Sequence, residues 1–295
     1  MMTVWWFVCF AAGIGFVLLV RQTMIHKACF RQKITLNKPA EPSLKTSEEV
    51  RILVLGDTGS ALPEQHQVAR ASARTCEDLG CDMVLLLGDN FIQQGVSGID
   101  DPQFKNKFEE IYPQQLPFYA VLGNHDIRGN WRAQIEYTNH SSRWFMPDVN
   151  YSFEAGPVLF QAINTTCTIC SLWSLFRKSN KDWRVVFGHR PMLTTGRHPG
   201  MTWLERWLIR RSGAKLVLSG HNPGLEHLED HGLHQIVSGG GGTPLPPLQE
   251  RDSPAKKFSA HTLGYVWLHL TTGSVKARYF NADGKFLYSF EDHKK

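Results

Sequence analysis

Blocks of like charge are scarce in this chain. Past the N-terminal region there is no run of Lys or Arg and no ladder of alternating aromatic and basic residues. The net charge of +5 over 295 residues is therefore no argument for nucleic acid, and no nucleic-acid partner is expected. No segment repeats at solenoid length, which excludes a repeat array. Cysteine is sparse: Cys9, Cys29, Cys76, Cys81, Cys167 and Cys170. Cys167-Thr168-Ile169-Cys170 is a lone CxxC, with neither the second pair a zinc site needs nor the helix N-terminus a redox pair needs. It reads as two ordinary thiols or a local disulfide, and cysteine usage leaves the compartment open. No Lys or Arg precedes the first apolar run, and no small-x-small site follows it, which argues against a cleaved signal peptide.

That apolar run, residues 3–20, is uncharged and about as long as a membrane helix. Residues 1–21 are thus expected to form an uncleaved single-pass transmembrane anchor, with Trp5 and Trp6 at one interface. Arg21, Lys27, Arg31 and Lys33 follow, and the positive-inside rule then favours a cytoplasmic domain. Residues 22–49 form a basic juxtamembrane segment and a tether, with Pro39 and Pro42 in a stretch without apolar periodicity. Residues 50–295 form the folded domain.

Inside that domain one design recurs. Val84-Leu85-Leu86-Leu87 reads as a strand buried on both faces and ends in Gly88-Asp89-Asn90. Ile52 to Leu55 ends in Gly56-Asp57-Thr58-Gly59, and Tyr119 to Leu122 in Gly123-Asn124-His125-Asp126. Val185 to Phe187 ends in Gly188-His189-Arg190-Pro191, and Leu216 to Ser219 in Gly220-His221-Asn222-Pro223. An α/β sheet puts its chemistry beyond the carboxyl ends of its strands. Asp, Asn and neutral His suit hard or borderline divalent metals. The pattern predicts a metal site assembled from five loops at one sheet edge.

Between these runs, helices are expected over Pro63 to Leu79, Pro102 to Ile111, Trp131 to Tyr137 and Thr202 to Arg211. A hairpin is expected at Tyr151 to Phe160 around Gly156-Pro157, with a strand-rich pattern after Leu233. Helix–strand alternation first and strands later imply two packed sheets flanked by helices.

The GDTG, GDN, GNHD, GHRP and GH motifs, in this order and spacing, resemble the calcineurin-like metallophosphoesterase superfamily. The stretch from Gly88 through Phe104 and Phe108 to Asp126 is most similar to the small purple (tartrate-resistant) acid phosphatases. The resemblance covers roughly residues 51–290. It implies an α/β (α+β) fold, a four-layer αββα sandwich of two mixed β-sheets, and a two-metal phosphoester hydrolase. Carried over position by position, one metal set is complete as Asp89, Asn124, His189 and His221. The other keeps Asp57 and Asp89, but Ile92 stands where the family has its Tyr and Pro223 where it has its second His. The cofactors implied are divalent ions (Mn, Zn, Mg or Fe), with one site well formed, a second weak or absent, and no purple colour.

Within that frame His125 faces the phosphate as a catalytic group beside Asn124. Asp126 either orients His125 or stabilises its turn, and Arg190 either contacts phosphate or forms a surface ion pair. The glycine run from Ser238 to Gly242 would offer N–H groups to an anion or be a flexible loop. His198, His227 and His231 are spare imidazoles, His227 reading as an ordinary core or surface residue. The expected function is a membrane-anchored, metal-dependent phosphoester hydrolase acting on a phosphorylated substrate. The competing reading is a catalytically impaired phosphatase fold serving as a membrane-tethered binding module.

Overall fold

The computed structural model describes residues 48–166 and 171–294. The apolar run at 3–20, the tether up to Ser47 and the CxxC pair at 167–170 lie outside the described residues. Among the described residues no helix is long and apolar enough to cross a membrane.

Among the described residues, fourteen strands form two seven-stranded sheets, in the orders β14-β13-β12-β1-β2-β3-β4 and β11-β9-β10-β8-β7-β6-β5. In the first, β1 (Glu49–Leu55), β2 (Met83–Leu86), β3 (Phe118–Ala120) and β4 (Trp144–Phe145) run parallel. Antiparallel β12 (Gly264–Thr271), β13 (Ser274–Asn281) and β14 (Phe286–His293) extend that sheet. In the second, β6 (Val158–Ala162), β7 (Trp183–Phe187), β8 (Leu216–Ser219) and β10 (Leu233–Ser238) run parallel. Antiparallel β5 (Tyr151–Ala155), β9 (Leu225–Asp230) and β11 (Lys256–Ala260) complete it. Both sheets are mixed, as expected.

Alternation along the strands separates three apolar clusters. Ile52, Val54 and Leu85 of the first sheet meet Phe160, Val185 and Ile236 of the second, forming the core between the sheets. Leu53, Val84 and Leu86 point the other way, onto Val68 and Ala69 of helix α1 (Pro63–Leu79) and Ala133 and Ile135 of α2 (Trp131–Glu136). Val186 and Val217 cover Ile209 of α3 (Trp203–Arg211) on the far face of the second sheet. Helices thus lie outside both sheets.

The segment expected as a helix over Pro102 to Ile111 is instead a turn-rich stretch with one wide helical turn at Lys105–Glu109. Its apolar residues still go where the stripe put them. Phe104, Phe108 and Ile111 are buried, and Phe104 stacks on Tyr137 at 3.8 Å. The cysteines of α1 and its exit, Cys76 and Cys81, are joined as a disulfide across a separation of five residues. Spacing alone did not reveal this pair.

His227 on β9 is a core residue, as expected, and it has company. Its Nε2 lies 3.0 Å from Nδ1 of His234 on β10, and its Nδ1 lies 3.1 Å from the Tyr288 hydroxyl on β14. His234 Nε2 in turn meets Asp292 of β14 at 3.1 Å, and Phe290 stacks on both rings. Burial, helped by His234 and Lys257, pulls His227 down to about 3. The folded state keeps this ring neutral, whereas the unfolded chain takes up a proton near the ordinary imidazole value of 6.5. Its contribution is complete above that value and is lost progressively as pH falls toward 3. Between about pH 7.5 and pH 5 this imidazole should cost about 2 kcal/mol of stability. Urea unfolding at both pH values checks it: His227→Gln should flatten the pH slope, and an unchanged slope would refute the assignment.

Candidate metal centre

Five parallel strands, β1, β2 and β3 of the first sheet and β7 and β8 of the second, each lead into a glycine followed by Asp57, Asp89, Asn124, His189 or His221. Asp57, Asp89 and His221 all adopt left-handed backbone, with φ of 58°, 52° and 67°. Such conformations are uncommon outside glycine, although Asp, Asn and His adopt them more readily than other residues, and they gather at functional sites. Two glycines show how closely the loops approach. A Cβ on Gly123 would sit 2.1 Å from Asp89 Oδ1, and one on Gly220 would sit 2.4 Å from Asp57 Oδ2.

At the centre is His189, which is 1% exposed. Its Nδ1 is 2.9 Å from the Leu87 carbonyl, which assigns the proton to Nδ1 and turns the lone pair of Nε2 inward. Around that Nε2 lie Asn124 Oδ1 at 3.1 Å, His221 Nδ1 at 3.1 Å and Asp89 Oδ2 at 3.4 Å. Lone pairs that converge this closely repel one another unless a proton or a metal cation lies among them. The donor set (one carboxylate, one amide oxygen, two imidazoles) fits a borderline divalent ion. The carboxylates give the centre a strong pull on positive charge. Burial opposes charge on His189, but Asp89 and Asp57 outweigh it and push the imidazole up to about 9, so without a metal Nε2 holds a proton that a divalent ion would displace. Burial, with His189 and His198 beside it, pulls His221 down to about 3 and keeps that ring a neutral donor.

Asp57 belongs to the same cluster, its ligand atom within 4.8 Å of those of Asp89 and His189. Burial pushes its carboxyl up to about 8, and its Oδ2 accepts the backbone N–H of His221 at 2.7 Å. Ile92 and Pro223 line the same cleft, of about 300 Å³, so the positions that offer no donor in the sequence are at the site in space. The cleft also opens past them. Pro223 and Pro246 form a shared wall with a neighbouring pocket of about 210 Å³ that Leu248 and Arg197 line. Ile92 and Pro244 form another with a pocket bordered by Leu62 and Gln103.

His125 faces this cleft, with Nε2 3.9 Å from Asp89 Oδ2 and its backbone N–H donating to Asp89 Oδ1 at 2.8 Å. Asp126 does not orient it. The group beside His125 Nδ1 is the Gln93 carbonyl at 2.9 Å, with Arg128 Nη1 at 3.2 Å. Asp126 is 0% exposed and accepts the N–H groups of Gly123, Phe91 and Asn90, so it stabilises the turn. Arg190 is also not at the phosphate position. Its Nη2 donates to Glu205 of α3 at 2.6 Å, and the cation that lines the cleft is Arg128. The glycine run does not cradle an anion with the amides of Gly239, Gly241 and Thr243, which donate to the carbonyls of Gly224, Gly56 and Asp57.

His198, left spare by the sequence, lines the cleft with its ring 4.5 Å from that of His221. Asn222 holds its loop by accepting the His198 N–H at 2.7 Å and donating to the His198 carbonyl at 3.1 Å. No local signal marked His198 or Arg128, since both reach the site through loop folding.

Comparison with known proteins agrees with this geometry. The model of the calcineurin-like phosphoesterase family matches residues 50–224. Purple acid phosphatase 7 of Arabidopsis thaliana is 28% identical over 282 residues, covering 83% of this chain and 86% of the relative. Human tartrate-resistant acid phosphatase type 5 is 26% identical over 292 residues, covering 81% and 89%. Among solved structures, GAP50, the anchor in the inner membrane complex of Plasmodium, superposes with a TM-score of 0.76 at 22% identity, covering 84% of this chain and 90% of that one. The purple acid phosphatase PPD1 of yellow lupin seeds gives 0.69 at 19% identity, covering 85% and 55%. These two likenesses show the fold. With the family's motifs at the ends of the strands that hold them, the chain belongs to the calcineurin-like phosphoesterase family as a metallophosphoesterase with purple acid phosphatases among its relatives.

Proposed function

We propose that the protein hydrolyses phosphoesters at a centre dominated by one divalent metal, while attached to a membrane through residues 3–20. The observation that carries the reading is the convergence of Asp89, Asn124 and His221 on the inward lone pair of His189. These four side chains would hold the ion, with Asp57 at its edge. A metal here supplies Lewis-acid stabilisation of phosphoryl charge and a water of lowered pKa. The remaining work belongs to the chain. Arg128 offers its guanidinium fork to phosphate oxygens. His198 lines the cleft beside His221. His125, oriented through Nδ1 by Gln93, turns Nε2 to the cleft, where it can pass a proton to the leaving oxygen.

Attachment rests on the length and apolar character of the first run. Two observations bear on which side the domain faces, and they oppose each other. The cations after the run favour the cytoplasm, while the Cys76–Cys81 disulfide favours a compartment in which thiols stay oxidised. The disulfide is a bond in the folded domain, and the charge rule is a bias with exceptions. We therefore assign the domain to the oxidising side.

The test is metal content with turnover. Wild type should bind about one equivalent of Mn²⁺ or Zn²⁺ tightly. Ile92→Tyr with Pro223→His, which restores the two missing donors, should add a second equivalent and raise aryl phosphate hydrolysis by about 10-fold or more, since one metal then clamps each side of the phosphate. Two tight equivalents in wild type would overturn the single-metal reading. Metal binding without turnover would leave a binding module, the role that Ile92 and Pro223 favour.

A further inference from the structure

Helix α3 wears its apolar residues on the outside. Trp203, Leu204 and Trp207 share a stripe that sequence alone would turn toward the core. Instead Trp203 is 71%, Leu204 42% and Trp207 49% exposed, and the helix buries Glu205 and Ile209. Its rotation is locked from within. Glu205 pairs with Arg190 and closes a capping box with Thr202, so turning the tryptophans inward would pull that carboxylate out of both contacts.

The surroundings enlarge the patch. Phe176, 45% exposed, follows Leu175, which is buried in the same cluster as Ile209 beneath α3. The exposed charges of the helix are all positive. Arg211 stands over the Trp207 ring at 5.9 Å, while Arg210, one residue earlier, is paired with Asp230 of β9. Arg177 and Lys178 follow Phe176. Indole rings flanked by arginines match the polar–apolar boundary of a phospholipid bilayer, where an indole has one apolar body and one hydrated N–H and guanidinium groups meet lipid phosphates. A second copy of the chain fits poorly, because a two-fold contact would set these arginines against one another. The 28 residues from 21 to 48, between the apolar run and β1, measure at most about 95 Å if fully extended, which is enough chain for this face of the domain to meet the bilayer.

We propose that α3, with Phe176 beside it, docks the domain onto the surface of the bilayer that holds residues 3–20. The cleft then works at a fixed orientation to lipid headgroups. This inference rests on the membrane attachment proposed above and not on the metal chemistry.

The experiment compares the full chain with Trp203→Phe/Trp207→Phe, both reconstituted into nanodiscs of phosphatidylcholine and phosphatidylglycerol, with and without brominated acyl chains. Subtracting the variant's emission isolates the two indoles, and an unchanged melting midpoint shows that the variant is folded. The difference emission should fall about twofold or more in brominated lipid, as expected for indoles at the interface. Arg211→Glu should weaken the quenching. Unquenched difference emission overturns the proposal, whether aqueous acrylamide reaches the indoles (solvent) or fails to (a protein or second copy). A chain that does not enter nanodiscs refutes the anchor instead, and brominated vesicles added to it then decide the helix by the same quenching.

Discussion

Asp89→Asn should lower metal-dependent phosphate release by at least about 100-fold and strip the bound metal, while leaving the fold in place. Removing a group that only orients a metal ligand commonly costs 10–100-fold, and a direct ligand should cost no less. Asp89 is placed for the direct role. Its side chain is almost fully buried, with Oδ2 facing His189 Nε2 at 3.4 Å and Oδ1 accepting the His125 N–H at 2.8 Å. Burial alone would raise its carboxyl, but His189 and His125 outweigh it and draw it down to about 2, so it is anionic at any working pH. Asparagine keeps the shape and can still accept the His125 N–H. What it loses is the charge that attracts a cation to the centre. Metal analysis, aryl phosphate turnover and circular dichroism on the same samples check this. Unchanged turnover with unchanged metal content would remove Asp89 from the site.

Asp126→Ala should produce the largest loss of stability of any single site change, about 3–5 kcal/mol, because it leaves buried donors without an acceptor. Against the 5–15 kcal/mol typical of whole domains, that is a large fraction. The carboxylate accepts from Gly123 N at 2.7 Å, Phe91 N at 3.0 Å, Gln134 Nε2 at 3.1 Å and Asn90 N at 3.2 Å. Those donors belong to the loops after β2 and β3 and to helix α2, so one side chain holds together the two loops that present Asp89, Asn124 and His125. Urea unfolding measures the loss. The milder Asp126→Asn separates this role from a catalytic one. A residue acting through His125 would shift the pH profile of turnover, whereas a loop anchor leaves the profile in place and lowers only stability. A displaced profile would restore Asp126 to the chemistry.

Local pattern carried much of this protein. Continuous apolar runs marked β1, β2, β7 and β8 because strands buried on both faces have no polar alternation to hide. Helix α1 runs from Pro63 to Leu79, the span its sequence predicted. The metal donors were legible because each follows its strand end directly, in a glycine turn that only a few residue types tolerate. Ile92 and Pro223 were legible as missing donors only through the resemblance to the purple acid phosphatases, which carry a Tyr and a His at those positions.

Long-range geometry decided the rest. Whether Asp126 serves His125 or its turn depends on which amides the two loops bring to it. Whether Arg190 or Arg128 meets the cleft depends on Glu205, fifteen positions away in sequence and 2.6 Å away in space. His198 enters the site only because its loop folds against Asn222, and Cys76 meets Cys81 only because the end of α1 turns back. Periodicity on α3 grouped Trp203, Leu204 and Trp207 on one face but carried no information about which face meets the core. A stripe fixes relative positions around a helix axis, and only the partners of Glu205 and Ile209 set the rotation of that axis against the sheet.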